Sequence, residues 1–191
     1  AVVTALLTGQ AYKRSAEIAQ GKGTFAGYSQ NADAMCKVIG MHRHAAYNIA
    51  DADVSGAIKT AAMDVWDVVY GVASGFRNCQ VTVLAPCGTI SFMMDCDTTG
   101  VEPCLGLVTT KKLVGGGEVN MVNGVVAQAL RVLGYPKRIV GTQLNDLKVH
   151  GAFVCEPEHI SVFATALGDN AISWQGHIKM VSAVQPFISG G

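Results

Sequence analysis

The sequence is poor in charged and aromatic residues, and these shortages exclude several classes of protein. Asp, Glu, Lys and Arg make up 15% of the 191 residues, aromatic residues make up 7%, and the formal net charge is zero. Sparse, balanced charge gives no electrostatic attraction to nucleic acid or to an anionic membrane surface, so we expect neither as a partner. The longest uncharged run, residues 78–94, contains Asn, Gln, Pro, Gly and Ser and is therefore a poor membrane span.

Paired cysteines are also missing, because the six cysteines form no Cys-x-x-Cys motif and show no regular disulfide spacing. Residues 1–11 lack the basic region and the cleavage pattern of a secretory signal. We therefore expect a cytoplasmic protein with reduced thiols, most of them buried as small apolar side chains. The cysteines are Cys36, Cys79, Cys87, Cys96, Cys104 and Cys155.

Apolar residues at helical spacing dominate the remaining pattern and predict a helix-rich α/β fold. A chain of this length can bury a sizeable core in one or two domains. The predicted helical faces are Val3, Leu7, Ala11, Ser15 and Ile18; Met35, Val38, Ile39, His42 and Ala46; Ile58, Ala62, Val65, Trp66, Val69 and Val72; Val122, Val125, Val126, Ala129, Leu130 and Leu133; and Ile178, Val181 and Val184.

Glycine, proline and small polar residues predict the ends of these helices. Between the helices, residues 80–84 and 160–163 are predicted to be short strands, and residues 137–157 a loop. The predicted helix starts are Ser29 or Asn31 for the second helix and Ser55 for the third, and the predicted helix ends are Gly21 with Gly23, Gly75, Gly134 with Pro136, and Pro186.

A turn of small residues follows the predicted strand 80–84 and opens an apolar segment. Backbone N–H groups at the start of a helix, together with the helix dipole, favour the binding of phosphate. Gly88 allows close approach to the backbone, and the hydroxyl groups of Thr89 and Ser91 add donors. The sequence therefore predicts a phosphate-binding turn, made of Pro86, Cys87, Gly88, Thr89, Ile90 and Ser91.

The run Leu84–Pro103 around this turn resembles the vitamin B12-dependent (adenosylcobalamin, class II) ribonucleotide reductases, in which a Pro-Thr-Gly-Thr-Ile-Ser-like turn grips the phosphates of the substrate. Cys87 stands where that family usually has threonine, so one hydroxyl contact to phosphate is lost while the backbone contacts remain. Further segments resemble the family in order along most of the chain: Thr8–Tyr12, Ser15–Ala19, Gly27–Tyr28, His42–Tyr47, Arg77–Val83, Lys111–Gly117, Leu133–Tyr135, Glu158–His159, Val162–Phe163, Gly176–Met180 and Val184–Gly190.

The resemblance implies a helix-rich portion of the ten-stranded α/β barrel of ribonucleotide reductase large chains. Residues 1–191 would form a single partial catalytic-barrel domain, with a helical segment (1–76), the phosphate-turn segment (77–135) and the last barrel segments (136–191). It also implies reduction of a ribonucleoside diphosphate or triphosphate for DNA synthesis, initiated by adenosylcobalamin radical chemistry. A ribonucleotide substrate and a thiol reductant are the implied partners, and a homodimer is left open.

One motif that the family needs is missing from the sequence. No Asn-x-Cys-x-Glu, which carries the thiyl-radical cysteine of the family, occurs, since Asn78-Cys79-Gln80 has the wrong spacing and Cys155-Glu156 has no asparagine two residues before it. We therefore expect a C-terminal-half portion of a reductase or a shortened homologue, inactive in isolation, with no catalytic residue of its own and in need of the missing half or a partner chain. A non-catalytic nucleotide-binding or assembly remnant is the alternative, and an intervening protein element near Cys87 is a third.

Histidines and a possible calcium loop do not predict a metal site. His42 and His44 lie two residues apart on a predicted helix and point roughly 200° apart around its axis. The run that begins at Asp95 starts like a calcium loop, but its twelfth position is Gly106 rather than glutamate.

Two further groups, three carboxylates after the turn and a run of three glycines, can be interpreted either as ligand-binding residues or as residues that only shape their own part of the chain. The carboxylates of Asp95, Asp97 and Glu102 are expected to accept hydrogen bonds from amides of their own turn, with a role in shaping the nucleotide pocket as the alternative. Gly115–Gly117 is expected to provide a flexible entry to a helix, with anion binding as the alternative.

Overall fold

The computed structural model describes residues 1–50, 56–94, 96–112 and 114–190. Helices dominate these residues, and one antiparallel pair of strands forms the sheet structure among them. In chain order the elements are α1 (Val2–Lys22), α2 (Tyr28–Tyr47), α3 (Gly56–Tyr70), α4 (Gly88–Met93), β1 (Val108–Lys112), β2 (Glu118–Val122), α5 (Val125–Val132), α6 (Lys137–His150), a 3-10 helix (Pro157–Phe163), α7 (Trp174–Val184) and a second 3-10 helix (Gln185–Phe187).

The contacts within the chain divide it into two compact units. The first, which we call the helical unit, consists of Ala1–Ala85 together with Met180–Gly191, and the second, which we call the turn unit, consists of Pro86–Lys179. Helix-rich structure was expected and is confirmed. The resemblance implies a helix-rich portion of a ten-stranded barrel; the described residues contain a single two-stranded sheet, which does not show the barrel itself.

Aromatic side chains form the centre of the helical unit between α1, α2 and α3. Trp66 is fully buried, and its Nε1–H group donates a hydrogen bond of 3.0 Å to the carbonyl oxygen of Ala5. Tyr12 packs between Trp66 and Phe76, with ring centroids 6.2 and 5.5 Å away. Burying rings of this size is the main source of stability for such a core.

The buried face of α1 differs from the predicted one. Val3 and Leu7 are 70% and 62% exposed, whereas the buried residues are mostly small or polar. They are Ala5, Thr8, Gly9, Tyr12, Ser15, Ala16 and Ala19. The predictions for α2 and α3 were better, since most of their predicted faces are buried, except for Val38 and Ile58, which are exposed.

Hydrogen bonds explain why polar side chains lie on the buried face of α1. The segment 78–83 belongs to no strand of the described structure, so its backbone groups need other partners. The Asn78 N–H group donates to Ser15 Oγ at 2.8 Å, and the Ser15 hydroxyl donates to the Asn78 side chain at 3.0 Å. One turn earlier on α1, the Tyr12 hydroxyl donates to the carbonyl oxygen of Cys79 at 3.0 Å.

The far end of the same segment is held by the last described residues of the chain. Ser189 Oγ accepts hydrogen bonds from the amides of Val81 and Thr82 at 2.9 and 3.0 Å. The Gly190 N–H group donates to the Thr82 carbonyl oxygen at 2.9 Å. The Thr8 and Thr82 hydroxyl oxygens are 3.2 Å apart, which ties α1 into the same cluster.

Gly9 allows α1 and α3 to approach closely. A Cβ atom at this position would lie 2.6 Å from Val65 Cγ1 and 3.3 Å from Trp66 Nε1. Val65 is buried and β-branched, so its side chain has little freedom to move away. A glycine inside a helix costs stability on its own, but this one permits the packing of the unit.

Replacing Gly9 with alanine tests this close approach. We expect Gly9→Ala to lower the free energy of unfolding by about 1–3 kcal/mol, because the added methyl group overpacks the core. Gly21→Ala is the matched control in α1, since a Cβ there meets nothing within 4 Å. It should be neutral or stabilising by up to about 1 kcal/mol. Urea denaturation measures both, and equal stabilities would contradict the close packing.

His42 is a buried histidine with only one of its ring nitrogens hydrogen-bonded. The side chain is 6% exposed, and Nδ1 lies 2.5 Å from the carbonyl oxygen of Pro186, so Nδ1 carries the proton and donates it. Nε2 has no hydrogen-bond partner among the described residues. Burial lowers the pKa of His42, and the hydrogen bond to Pro186 partly opposes this shift. The folded chain therefore favours the neutral ring.

Acid should destabilise the protein through His42. Because its pKa is lower in the folded chain, the unfolded chain binds a proton first, and stability falls as the pH drops below the unfolded value of about 6.5. His42→Asn cannot titrate and keeps a donor group, so its free energy of unfolding should fall less between about pH 7.5 and about pH 5.5. The exposed His44 provides the control variant His44→Asn, which should behave like the parent. Identical pH dependence of His42→Asn and the parent would refute this role.

The turn unit contains a β-hairpin next to a small helical core. β1 pairs with β2 from Val108 opposite Val122 to Lys112 opposite Glu118. Gly115–Gly117 have φ angles of 104°, 97° and 91° and lie in the turn of this hairpin, so the expected helix entry at these glycines was wrong. The core of the unit consists of Val126, Leu130, Val140, Leu147 and Phe163.

Several local predictions are corrected by the structure. Residues 80–84 are not a strand, residues 137–150 of the predicted loop form α6, and residues 160–163 belong to a 3-10 helix. Pro136 starts α6, and Val122 lies in β2 rather than in a helix. These segments are short or of mixed polarity, and periodicity over a short window does not distinguish helix from strand.

The predicted helix ends were also only partly right. Gly23 ends α1, as predicted, but α2 begins at Tyr28, before both predicted caps. α3 ends at Tyr70, well before Gly75, whose φ angle of 82° serves a later turn. Ser55 lies outside the described residues.

Candidate functional site

The predicted phosphate-binding turn, residues 86–91, lies at the beginning of the turn unit and leads into α4. Pro86 and residues 88–90 are exposed, and Cys87 is half-buried. Ser91 is 7% exposed, which makes its side chain the least accessible of the six. The turn is therefore open to solvent along most of its length.

The backbone amides of this turn differ in their hydrogen bonding. The Cys87 N–H group donates to the Thr99 carbonyl oxygen at 2.7 Å, and the Ser91 N–H group donates to the Cys87 carbonyl oxygen at 2.8 Å. For the amides of Gly88, Thr89 and Ile90, no acceptor is found in the described part of the chain. The first turn of a helix leaves such donors unpaired, and adjacent exposed amides suit an oxyanion.

The attraction of this turn for an anion rests mainly on hydrogen bonds. α4 contains only six residues, so few peptide dipoles add up along its axis. The Thr89 side chain is exposed and can add a hydroxyl donor, as predicted from the sequence.

Gly88 is not required by the fold. A Cβ atom at this position would meet nothing within 4 Å, and its φ angle is not positive. Glycine is therefore needed for neither space nor backbone conformation within the described structure. The missing side chain leaves room for a ligand to approach the backbone closely.

A loop after α4 fixes the position of the turn within its unit. The loop binds the Cys87 amide through Thr99, and the Thr98 hydroxyl donates to the Gly100 carbonyl oxygen at 3.0 Å. Asp97 Oδ1 accepts a hydrogen bond of 2.8 Å from the Gly124 N–H group, at the N-terminus of α5. Asp97 thus acts as a cap for a helix elsewhere in the chain.

The predicted roles of the three carboxylates are therefore corrected in part. Asp97 binds an amide 27 positions away rather than one of its own turn. Glu102 is exposed, and Asp95 lies outside the described residues. The expected local bonding failed for Asp97 because the hairpin brings Gly124 back to the loop.

Removing the Asp97 carboxylate tests its capping role. We expect Asp97→Ala to lower the free energy of unfolding of the turn unit by about 0.5–2 kcal/mol, since one exposed helix-terminal amide loses its acceptor. Glu102→Ala is the control, because Glu102 is an exposed carboxylate in the same loop. Thermal denaturation compares the two, and an equal effect would contradict the assignment.

A second polar cluster, in the helical unit, was not predicted from the sequence. Arg43 Nε donates to Asp67 Oδ1 at 2.6 Å, and the Tyr47 hydroxyl donates to Asp67 Oδ2 at 2.6 Å. Arg43 and Tyr47 are four residues apart, so they share a face of α2. Their partner lies on α3, and only the packing of the two helices brings it close.

The cysteines are free thiols, as expected, but they are less buried than expected. Cys36, Cys79 and Cys96 are exposed, and the other three are half-buried. Burial and the nearby Glu156 raise the pKa of Cys155, which keeps it protonated. In the described ranges, His, Cys, Asp and Glu side chains form no group of three that could hold a metal ion. No helix in these ranges is long and apolar enough to cross a membrane.

Comparison with known proteins defines the class to which this fold and turn belong. A family model described as "Ribonucleotide reductase, barrel domain" matches residues 1–191. The chain therefore belongs to the ribonucleotide reductase barrel-domain family, and the resemblance found in its sequence is confirmed.

Several similar proteins share one name and are longer than this chain. A vitamin B12-dependent ribonucleotide reductase of Streptantibioticus cattleyicolor is 46% identical over 98% of this chain and 33% of its own length. The proteins of the same name from Rhodopirellula baltica and Streptomyces avermitilis are 46% and 45% identical over 98% of this chain, and over 19% and 20% of their own lengths. The chain thus spans between a fifth and a third of these curated relatives.

Proposed function

We propose that this chain supplies part of the substrate site of a ribonucleotide reductase. In this proposal the turn Pro86–Ser91 holds the phosphates of a ribonucleotide whose 2′-hydroxyl group is reduced. The observation that carries the proposal is that three adjacent exposed residues, Gly88, Thr89 and Ile90, have amides without acceptors in the described residues. Family membership supplies a substrate that carries phosphates.

Holding the phosphates has a direct consequence for the chemistry at the ribose. An anchored nucleotide presents its ribose in one position, and a displacement of about 1 Å can cost about 100-fold in rate. The backbone is well suited to this task because Cys87, Ser91 and the loop at Thr99 fix it by hydrogen bonds. The side chain at position 87 is a thiol, which contributes a weaker donor than a hydroxyl group.

Adenosylcobalamin is the cofactor we propose for the complete enzyme, because the similar proteins are named vitamin B12-dependent. Clefts of about 390–480 Å³ occur in the two units, which is the size of a site for a small ligand. A corrinoid is much larger than such a ligand, so none of these clefts encloses the cofactor by itself. The role proposed for this chain is therefore positioning of the substrate, and it includes no step at cobalt.

The remaining parts of the reaction are assigned to residues beyond this sequence. The sequence has no Asn-x-Cys-x-Glu motif, so we assign it no catalytic residue. We propose that residues 1–191 are a partial catalytic-barrel domain that works with the missing half of the reductase or with a partner chain. A thiol reductant supplies the electrons, and the deoxyribonucleotide product serves DNA synthesis in the cytoplasm.

A second candidate function is a nucleotide-binding or assembly module without catalysis. The absence of the radical-cysteine motif from this sequence favours the non-catalytic module. The phosphate turn does not separate the two candidates, because both would use it. Adding a chain that contains the motif separates them. Ribonucleotide reduction by the mixture supports the reductase part, and nucleotide binding without turnover supports the module.

The phosphate turn is tested by substituting Gly88. In the complete reductase that carries this sequence, we expect Gly88→Val to weaken ribonucleotide binding about tenfold or more, since a side chain blocks charge-assisted hydrogen bonds to the amides. Gly141→Val is the matched control, because a Cβ at either glycine meets nothing within 4 Å. Calorimetric titration measures both affinities. Unchanged affinity in Gly88→Val, with a folded protein, would refute the proposed turn.

A further inference from the structure

A cleft of about 410 Å³ lies on the helical unit between α2 and α3. Its lining residues are Gly40, Arg43, His44, Tyr47 and Tyr70. The volume lies within the range of small-molecule sites, about 300–1,000 Å³. None of these residues belongs to the phosphate turn, so the cleft does not depend on the function proposed for that turn.

Two aromatic rings and a carboxylate contact the Arg43 guanidinium in this cleft, although Arg43 lies at the surface. Its guanidinium carbon is 5.0 Å from the centroid of the Tyr47 ring and 5.3 Å from that of the Tyr70 ring. Asp67 Oδ1 binds its Nε atom at 2.6 Å. An exposed arginine normally samples many rotamers, and here two rings and a carboxylate restrict it.

The pairing with Asp67 leaves the outer edge of the guanidinium free. A carboxylate can bind arginine through two parallel hydrogen bonds, but Asp67 gives its second oxygen, Oδ2, to the Tyr47 hydroxyl at 2.6 Å. Arg43 is therefore bound through Nε alone, and its Nη1 and Nη2 atoms have no acceptor among the described residues. The hydrogen bonds from Tyr47 and then Arg43 lower the pKa of Asp67, which keeps the carboxylate ionised around neutral pH.

Gly40 lines the cleft from the interior of α2, where glycine costs about 1 kcal/mol relative to alanine. A Cβ atom at position 40 would stand 3.4 Å from Cε2 of Tyr70, which is an ordinary van der Waals contact. The missing side chain therefore leaves additional room beside the Tyr70 ring.

We propose that this cleft is a binding site for a small oxyanion, a phosphate or carboxylate group that accepts hydrogen bonds from Nη1 and Nη2 of Arg43. A planar fork held in a fixed orientation matches two oxygens of one anion, which a flexible lysine would not. Tyr70 and His44 line the same cleft and can add hydrogen-bond donors.

Titration with inorganic phosphate and, separately, with acetate tests the proposal on the complete chain. The Gly88→Val background weakens any binding at the phosphate turn, and chloride keeps the ionic strength constant. The ring resonances of Tyr47 and Tyr70, which lie in the cleft, report binding there by NMR. We expect the chemical shifts of these ring resonances to change saturably with anion concentration. The anion with the lower Kd shows whether the site prefers a phosphate or a carboxylate. Absence of saturation with both anions would overturn the proposal.

Three variants locate the site. Arg43→Lys should weaken anion binding about tenfold or more, because the charge remains but the fork is lost. Tyr47→Phe should also weaken anion binding, because Oδ2 of Asp67 then loses the Tyr47 hydroxyl and can pair with Arg43. For this variant the Tyr70 ring resonances report anion binding. Arg14→Lys is the control, because Arg14 is an exposed arginine paired with Glu17 at 2.7 Å outside the cleft. Equal affinity in Arg43→Lys and Arg14→Lys would overturn the proposal.

Discussion

The helical unit depends on the hydrogen bonds that hold residues 78–83, a segment that pairs with no strand in the described structure. Side chains of α1 and the residues near position 189 supply the partners. The α1 side chains that make these bonds, Thr8, Tyr12 and Ser15, are themselves buried, and a buried polar group is costly without a partner. The buried face of α1 therefore combines polar residues with small ones, and Gly9 lets α3 approach.

The same constraint links distant parts of the sequence. Ser189 binds Val81 and Thr82, while Pro186, three positions earlier, accepts the hydrogen bond of His42. The end of the described chain is therefore fixed at two points, one of them a neutral, buried imidazole. A proton on this ring would place a charge in the core without an acceptor for Nε2, which is costly in a low dielectric.

In the candidate site, by contrast, backbone donors have no protein partner. The amides of Gly88, Thr89 and Ile90, at the exposed start of α4, have no acceptors among the described residues. Such donors cost little in water and can accept an anion as a ligand, so an open turn of this kind is stable without one and suits the role proposed for it. In the Arg43 cleft, the donors are likewise kept free, because Tyr47 competes for the carboxylate that could have occupied them. Both places combine a fixed scaffold with unused hydrogen-bonding capacity.

The sequence alone determined the family and most of the buried faces of α2 and α3, because these are recorded in local order and spacing, and the phosphate-binding role of the turn Pro86–Ser91 stays a prediction. The sequence did not determine the buried face of α1, the partner of Asp97 or the Arg43 cleft. Each of these features depends on contacts between residues far apart in the chain. Such a hydrogen bond or close contact forms only after the helices have packed, so it leaves no local pattern in the sequence. Tertiary structure therefore decided which polar side chains are satisfied inside the protein and which remain free to bind a ligand.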